Sequence, residues 1–196
     1  MMRNAVLPAT CCAFALASLL AFEARAAEDD LDRLMTLLAQ REHAHASFVE
    51  EDHLAVLDRP VKSSGELLYE RPDRLEKRTL VPRAASLVLE HGSLTVQYGQ
   101  RKRELALRDY PQIAPLIESL RATLAGDRSA LAGVFQITFA GDLDRWTLSL
   151  MPRDPKLKNA VQQIRIDGAR DELHVVDILQ ADGDRSVMTI GPPTPP

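Results

Sequence analysis

The chain has 196 residues, 24 of them basic and 28 acidic, with a formal net charge of −4 and only 5% aromatic residues. A mildly acidic chain is poorly matched to nucleic acid or to an anionic membrane surface, and no nucleic-acid partner is expected. Both cysteines, Cys11 and Cys12, fall in the first 26 residues.

Those residues read as a secretory signal peptide. Arg3 supplies the positive start, Ala5 to Phe22 is almost unbroken apolar, and Ala24-Arg25-Ala26 has the small-x-small form of a peptidase site. The other reading is a membrane anchor, since the apolar run is about the minimum for a span. The adjoining cleavage pattern favours removal after Ala26, or one residue later. Pro8, Ala9 and Thr10 precede Cys11, which is not the context of a lipoprotein signal. The mature chain would then be an exported domain without thiol, disulfide or lipid anchor. Loss of Arg3, Glu23 and Arg25 leaves 22 basic and 27 acidic residues, a charge of −5. A domain of this size holds a substantial core without disulfides. The expected division is 1–26 signal peptide, 27–191 folded domain and 192–196 Pro-rich tail.

Asp29-Asp30 can cap a helix, and Leu31, Leu34 and Leu38 follow helical spacing, with Met35 and Leu37 widening the face. That helix is expected to fade near His43 to Ala46. The period then becomes two, and Ser47 to Leu57 reads as a long strand ended by Asp58-Arg59-Pro60. Ser64 to Glu70 and Arg74 to Leu80 are strands about an Arg71-Pro72-Asp73 corner, because proline fixes its own φ and lacks an amide hydrogen. His91-Gly92 is a two-residue hairpin signal between Ser86–Glu90 and Ser93–Tyr98. Lys102–Leu107 returns as a strand.

Helical periodicity resumes from Pro111, with Ile113, Leu116, Ile117, Leu120 and Leu124 on one face. Gly126-Asp127 ends that helix, and a short one over Arg128–Ala132 follows. Five strands complete the chain: Val134–Phe139, Arg145–Met151, Val161–Asp167, Glu172–Gln180 and Arg185–Ile190. Pro152 to Asn159 reads as a turn. About eleven strands with short connections and two or three helices predict an α+β domain with one large curved antiparallel sheet.

No catalytic pattern stands out. His43 and His45 have strand spacing, but no acidic residue completes a metal motif, so a solvated helix end is the better reading. There is no G-x-S-x-G elbow and no phosphate-cradling glycine loop. An enzyme is not expected, and neither is a cofactor or metal. A large sheet with few aromatics and few helices is either filled by Leu, Val and Ile or curled around an apolar cavity able to hold acyl chains. Composition leaves those two open.

Several short motifs in order carry a resemblance. Ala46-Ser47-Phe48 stands at the helix-to-strand junction, followed by Val49-Glu50. Gly65-Glu66-Leu67-Leu68-Tyr69-Glu70 runs into the Arg71-Pro72 corner. Leu87 to Glu90, His91-Gly92 and Ser93 to Tyr98 form the next hairpin, and Leu124-Ala125-Gly126-Asp127 follows with Leu131 and Phe135. Over residues 29 to 190 this resembles the outer-membrane lipoprotein carrier family, LolA-like. The resemblance implies an incomplete antiparallel β-barrel covered by two or three lid helices that enclose an apolar cavity. It implies a monomeric periplasmic carrier that receives acyl chains of lipoproteins, or another apolar envelope lipid, from an inner-membrane exporter and passes them to an outer-membrane acceptor. It assigns lid control to the arginine of the corner, Arg71. Leu34, Leu38, Leu67, Tyr69, Val88, Ile117, Leu120 and Leu148 are the candidate cavity lining. Glu76, Lys77 and Arg78 replace the aromatics usual after the corner, and the chain stops soon after Ile190, which points to a divergent, shorter relative whose cargo is a lipoprotein, another envelope lipid or an apolar metabolite. The alternative is a non-transporting lipid-sensing or protein-interaction domain of the envelope.

Overall fold

The computed structural model describes residues 28–110 and 114–193. The expected signal peptide, the helix start at Pro111 and the last three residues of the expected tail lie outside them.

The first helix, α1, covers residues 28–38. It closes in a tightening last turn, with the amides of Ala39, Gln40 and Arg41 donating to the carbonyls of Met35, Leu37 and Leu38. The chain turns extended sooner than periodicity suggests. Strand β1 is His43–His53, so His43 and His45 are strand residues rather than a frayed helix end. The reason is tertiary: β1 pairs with β2 (Val61–Glu70) in continuous register from His43↔Glu70 to Asp52↔Val61. That ladder outweighs the residual helical pattern of residues 39–46.

A meander continues through β3 (Arg74–Val81), β4 (Ala85–Glu90), β5 (Ser93–Tyr98) and β6 (Arg101–Ala106). His91 and Gly92 both take positive φ, 51° and 72°, as a type I′ hairpin turn requires. Leu107 leaves the sheet in a 3₁₀ turn, Leu107–Asp109, and is buried. Helix α2 follows (Ala114–Leu124), then α3 (Arg128–Val134). Gly126 ends α2 at φ 66°, while its amide and that of Asp127 reach back to the carbonyls of Thr123 and Ala122. A Cβ on Gly126 would come within 2.1 Å of the Met35 carbonyl, so only glycine lets this turn lie against α1. Asp127 then caps α3, its Oδ1 accepting from the Ala130 amide at 3.0 Å.

The second meander is β7 (Phe135–Asp142), β8 (Arg145–Pro152), β9 (Val161–Ala169), β10 (Glu172–Gln180) and β11 (Arg185–Pro193). Between β8 and β9 the expected turn contains a one-turn helix, α4 (Pro155–Lys158), capped by Asp154 with proline at its start. It exists because Leu157 drops into the core. Strand β11 runs on to Pro193, taking in the first residues of the expected tail.

All eleven strands form one antiparallel sheet in the order β6-β5-β4-β3-β2-β1-β11-β10-β9-β8-β7. Among the described residues the first and last strands thus meet at the centre of the sheet, and β6 and β7 are open edges. Edge strand β6 exposes Arg101, Lys102, Arg103 and Glu104, charges that discourage pairing with another chain.

Two apolar clusters pack on one face. The larger joins Leu31, Leu34, Met35 and Leu38 of α1, Ala122 and Leu131 to Phe135, Phe139, Trp146, Leu148, Leu150, Ile164, Ile166 and Val176. The smaller joins Leu89, Leu94 and Leu107, with Leu75, Leu87 and Ile117 against it. Trp146 is 1% exposed, and its indole N–H donates to the Arg170 carbonyl at 3.0 Å.

Gly168 is the wall that this indole rests on: a Cβ there would lie 2.3 Å from both the Trp146 ring and the Glu172 carbonyl. Gly168→Ala is therefore expected to lower unfolding free energy by about 1–3 kcal/mol, read from the urea midpoint. The bonds from Ala130 and Ser129 hold the Asp127 carboxyl below its usual pKa. A depressed carboxylate stabilises the fold above the unfolded Asp pKa and ceases to do so as pH falls through the folded one. Asp127→Ala should cost about 1 kcal/mol at neutral pH, and the gap to wild type should close in acid melts below about pH 4.

Candidate functional site

Between the two clusters the sheet is not filled. A cavity of about 330 Å³ lies between α2 and the middle of the sheet. Its lining comes from β4, β3, β2, β1, β11 and β10 in spatial succession, so the sheet bends around it.

The cavity follows from side-chain size along the register. Strand β1 sends Ala44 and Ala46 to this face, opposite Tyr69 and Leu67 of β2. Those in turn face Leu75 and Lys77 of β3, and Lys77 faces Leu87 of β4. Two alanines on the central strand leave a trough where leucines would have closed it. Across the seam β11 supplies Met188 and Ile190, and β10 supplies Leu173, Val176 and Ile178. Above, Ile117, Leu120 and Leu124 of α2 fall on one stripe at helical spacing and form the roof.

Charged groups stand at both ends, and they are already paired. Toward one end Glu50 accepts from the Lys77 ammonium and from the hydroxyls of Ser63 and Ser186, each at 3.1 Å. Lys77 also lies 5.1 Å from the centroid of the Phe48 ring, in cation–π range. Toward the other end Arg41 grips Asp171, its Nε at 3.0 Å and its Nη2 closer. Each of these two pairs is neutral overall, and Glu172, a further carboxylate of the lining, lies 3.6 Å from His174 Nε2.

Tyr69 differs from these groups. It is 4% exposed, and its hydroxyl has no hydrogen-bond partner. Burial pushes its pKa up, against the pull of Arg71 and Arg121, while Asp73 adds to the rise. The phenol therefore keeps its proton and is a donor.

Arg71 sits in the β2–β3 corner and is exposed. Its guanidinium donates to the Ala39 carbonyl just past α1, and its own amide donates to the Glu42 carbonyl at 2.9 Å. The corner thus staples the α1–β1 junction, and a cation at the carbonyl end of a helix is electrostatically favourable.

The structure brings Leu67, Tyr69, Ile117 and Leu120 together on the cavity wall. Leu34, Leu38 and Leu148 lie instead inside the larger core, none more than 1% exposed. Val88 alternates with Leu87 and Leu89 and faces Glu76 on the opposite side of the sheet. The same alternation separates the run after the corner. Lys77 alone turns to the cavity, whereas Glu76 is buried on the other face under Arg74, Arg78 and Ser86. Sequence reasoning missed Ala44, Ala46, Glu50 and the β10–β11 wall. The alanines were legible only as small residues at even positions of β1, a signal without meaning until the register is known.

Among the described residues no cluster of His, Cys, Asp and Glu could hold a metal ion, and no helix is long and apolar enough to cross a membrane. No curated protein matched the sequence. Among solved structures, a LolA superfamily protein from Nitrosomonas europaea is 11% identical, with 86% of this chain and 92% of that one covered and a TM-score of 0.48. The MucA/MucB complex of Pseudomonas aeruginosa matches at 16% identity and a TM-score of 0.47, over 85% of this chain and 59% of that one. A DUF1329 family protein from Desulfovibrio piger matches at 9% and 0.43, over 83% and 89%. At these values the likeness does not extend to function. The family comparison is direct: residues 23–191 match the model described as outer membrane lipoprotein carrier protein LolA-like, and the chain belongs to that family.

Proposed function

We propose that this protein is a periplasmic carrier that houses an acyl chain of a lipoprotein or another envelope lipid under α2, with α2 acting as lid. The carrying observation is the unfilled apolar trough at the centre of the sheet, floored by Ala44 and Ala46 and roofed by Ile117, Leu120 and Leu124. Its volume of about 330 Å³ is at the small end for ligand pockets, which suits one chain better than several. Burying ten methylenes would contribute roughly 8 kcal/mol. Loading is therefore favourable, and release requires an acceptor that offers a comparable apolar site. An inner-membrane donor, an outer-membrane acceptor and export by a cleaved leader follow from this reading.

Protein purified without detergent exchange should carry lipid detectable by native mass spectrometry, and delipidated protein should take up a fluorescent acyl probe. Ala44→Phe places a ring in the trough at a half-buried position. It should abolish uptake while the far-ultraviolet circular dichroism stays unchanged. Absence of both bound lipid and probe uptake in the wild type would sink the carrier reading.

Arg71 is assigned control of exchange through its grip on the α1–β1 junction, which also positions Arg41 at the cavity. The grip is an exposed hydrogen bond, so its loss should barely move the melting temperature. Arg71→Leu is expected to speed probe release in stopped-flow measurements by several-fold. Unchanged release and uptake, or an unfolded variant, would remove that role.

A further inference from the structure

Resting on the acyl-carrier reading, we propose that the Tyr69 hydroxyl is the hydrogen-bond donor for the carbonyl oxygen of the acyl group seated in the cavity. A buried hydroxyl ordinarily finds a partner, and one kept without it calls for an explanation. Among the described residues Tyr69 carries the buried side-chain polar atom that has none. Other polar side chains of this end are engaged: Arg41 with Asp171, Arg71 with the Ala39 carbonyl and Arg121 with Glu118, while Glu172 lies 3.6 Å from His174 Nε2. Each guanidinium is anchored by these bonds and keeps further N–H groups that they do not use, whereas the phenol is anchored by none.

The geometry suits an acyl group in particular. Tyr69 lies in register with Ala44, at the end of the alanine floor, and from there the trough runs past Ala46 toward Met188 and Ile178. A chain lying in the trough would meet its first polar atom beside the phenol. An acyl carbonyl oxygen only accepts, and a protonated phenol donates. Of the charges that act on the phenol, Arg71 and Arg121 are positive and Asp73 is negative, so the role rests on the protonated hydroxyl itself. Free fatty acids and acyl esters share this carbonyl.

The test uses purified protein, wild type and Tyr69→Phe, with affinities read by displacement of the neutral dye N-phenyl-1-naphthylamine. The competitors are decanoic acid, 1-decanoylglycerol and decane. Losing one hydrogen bond should weaken the carbonyl-bearing competitors roughly tenfold and leave decane unchanged. The melting temperature of the ligand-free variant should hold or rise, because an unsatisfied buried hydroxyl has been removed. Loss for the acid alone identifies a free acid as the ligand, loss for the ester alone an acylated lipid, and loss for both a carbonyl of either source. Equal affinities in the two proteins, or an equal loss for all three competitors, would overturn the assignment to Tyr69 while leaving the carrier reading standing. Failure of every competitor to displace the dye from wild type would overturn both.

Discussion

The pairing of β1 with β11 is the constraint on which the molecule depends. The chain builds two meanders in succession, and this ladder from Phe48↔Ile190 to His53↔Arg185 makes them one sheet. It joins residues some 140 positions apart, so its loop-closure cost must be met by contacts on both sides of the seam. The register slips between Ala46 and Phe48, where Gly191 comes so close to Ser47 that a Cβ would lie 2.5 Å from its hydroxyl. A bulge at that point bends and twists the strands. The floor of the cavity is that same stretch of β1.

Cavity and cores are consequences of one distribution of side-chain volume. Trp146, Phe135, Phe139 and the leucines of α1 fill the β7–β10 side, and Leu89, Leu94 and Leu107 fill the β3–β6 side. Between them the seam carries alanine. No protein atoms fill the trough between the two clusters, and each cluster packs its own part of the sheet. Phe48, 1% exposed beside the seam, marks how abruptly packing gives way to space.

The strands were legible because each is punctuated by residues with a mechanical role. Pro72, His91-Gly92, Gly126-Asp127 and Asp154-Pro155 all stand at element boundaries, although the last pair starts a helix where only a turn was expected. The failures have physical causes. His43 to Ala46 looks like the tail of a helix because propensity is local, while the ladder with β2 is not. Leu34, Leu38 and Leu148 have the hydrophobicity of a cavity wall and lie in the core, since apolar pattern reports burial without saying whether the neighbour is protein or space. Val88 shows the cost of a single-position error in parity: its neighbours Leu87 and Leu89 face inward. The run Glu76-Lys77-Arg78 reads as one charged patch and is split by the pleat into a buried network on one face and a lysine on the other.

That split changes what the missing aromatics mean for the proposed carrier reading. Lys77 reaches the cavity with its charge cancelled by Glu50, which is fixed by two serines, and Arg41 is cancelled by Asp171 in the same way. Both pairs are part-buried, and parting either would leave its charges less well compensated. On the proposed carrier reading, the Lys77–Glu50 and Arg41–Asp171 pairs offer a charged headgroup no ion that lacks a partner. An uncharged polar link within a long apolar chain needs no such ion. On the proposed carrier reading, the selectivity open to this cavity is one of shape and of the neutral hydrogen bond proposed for Tyr69, which would favour a cargo by its acyl linkage rather than by its headgroup.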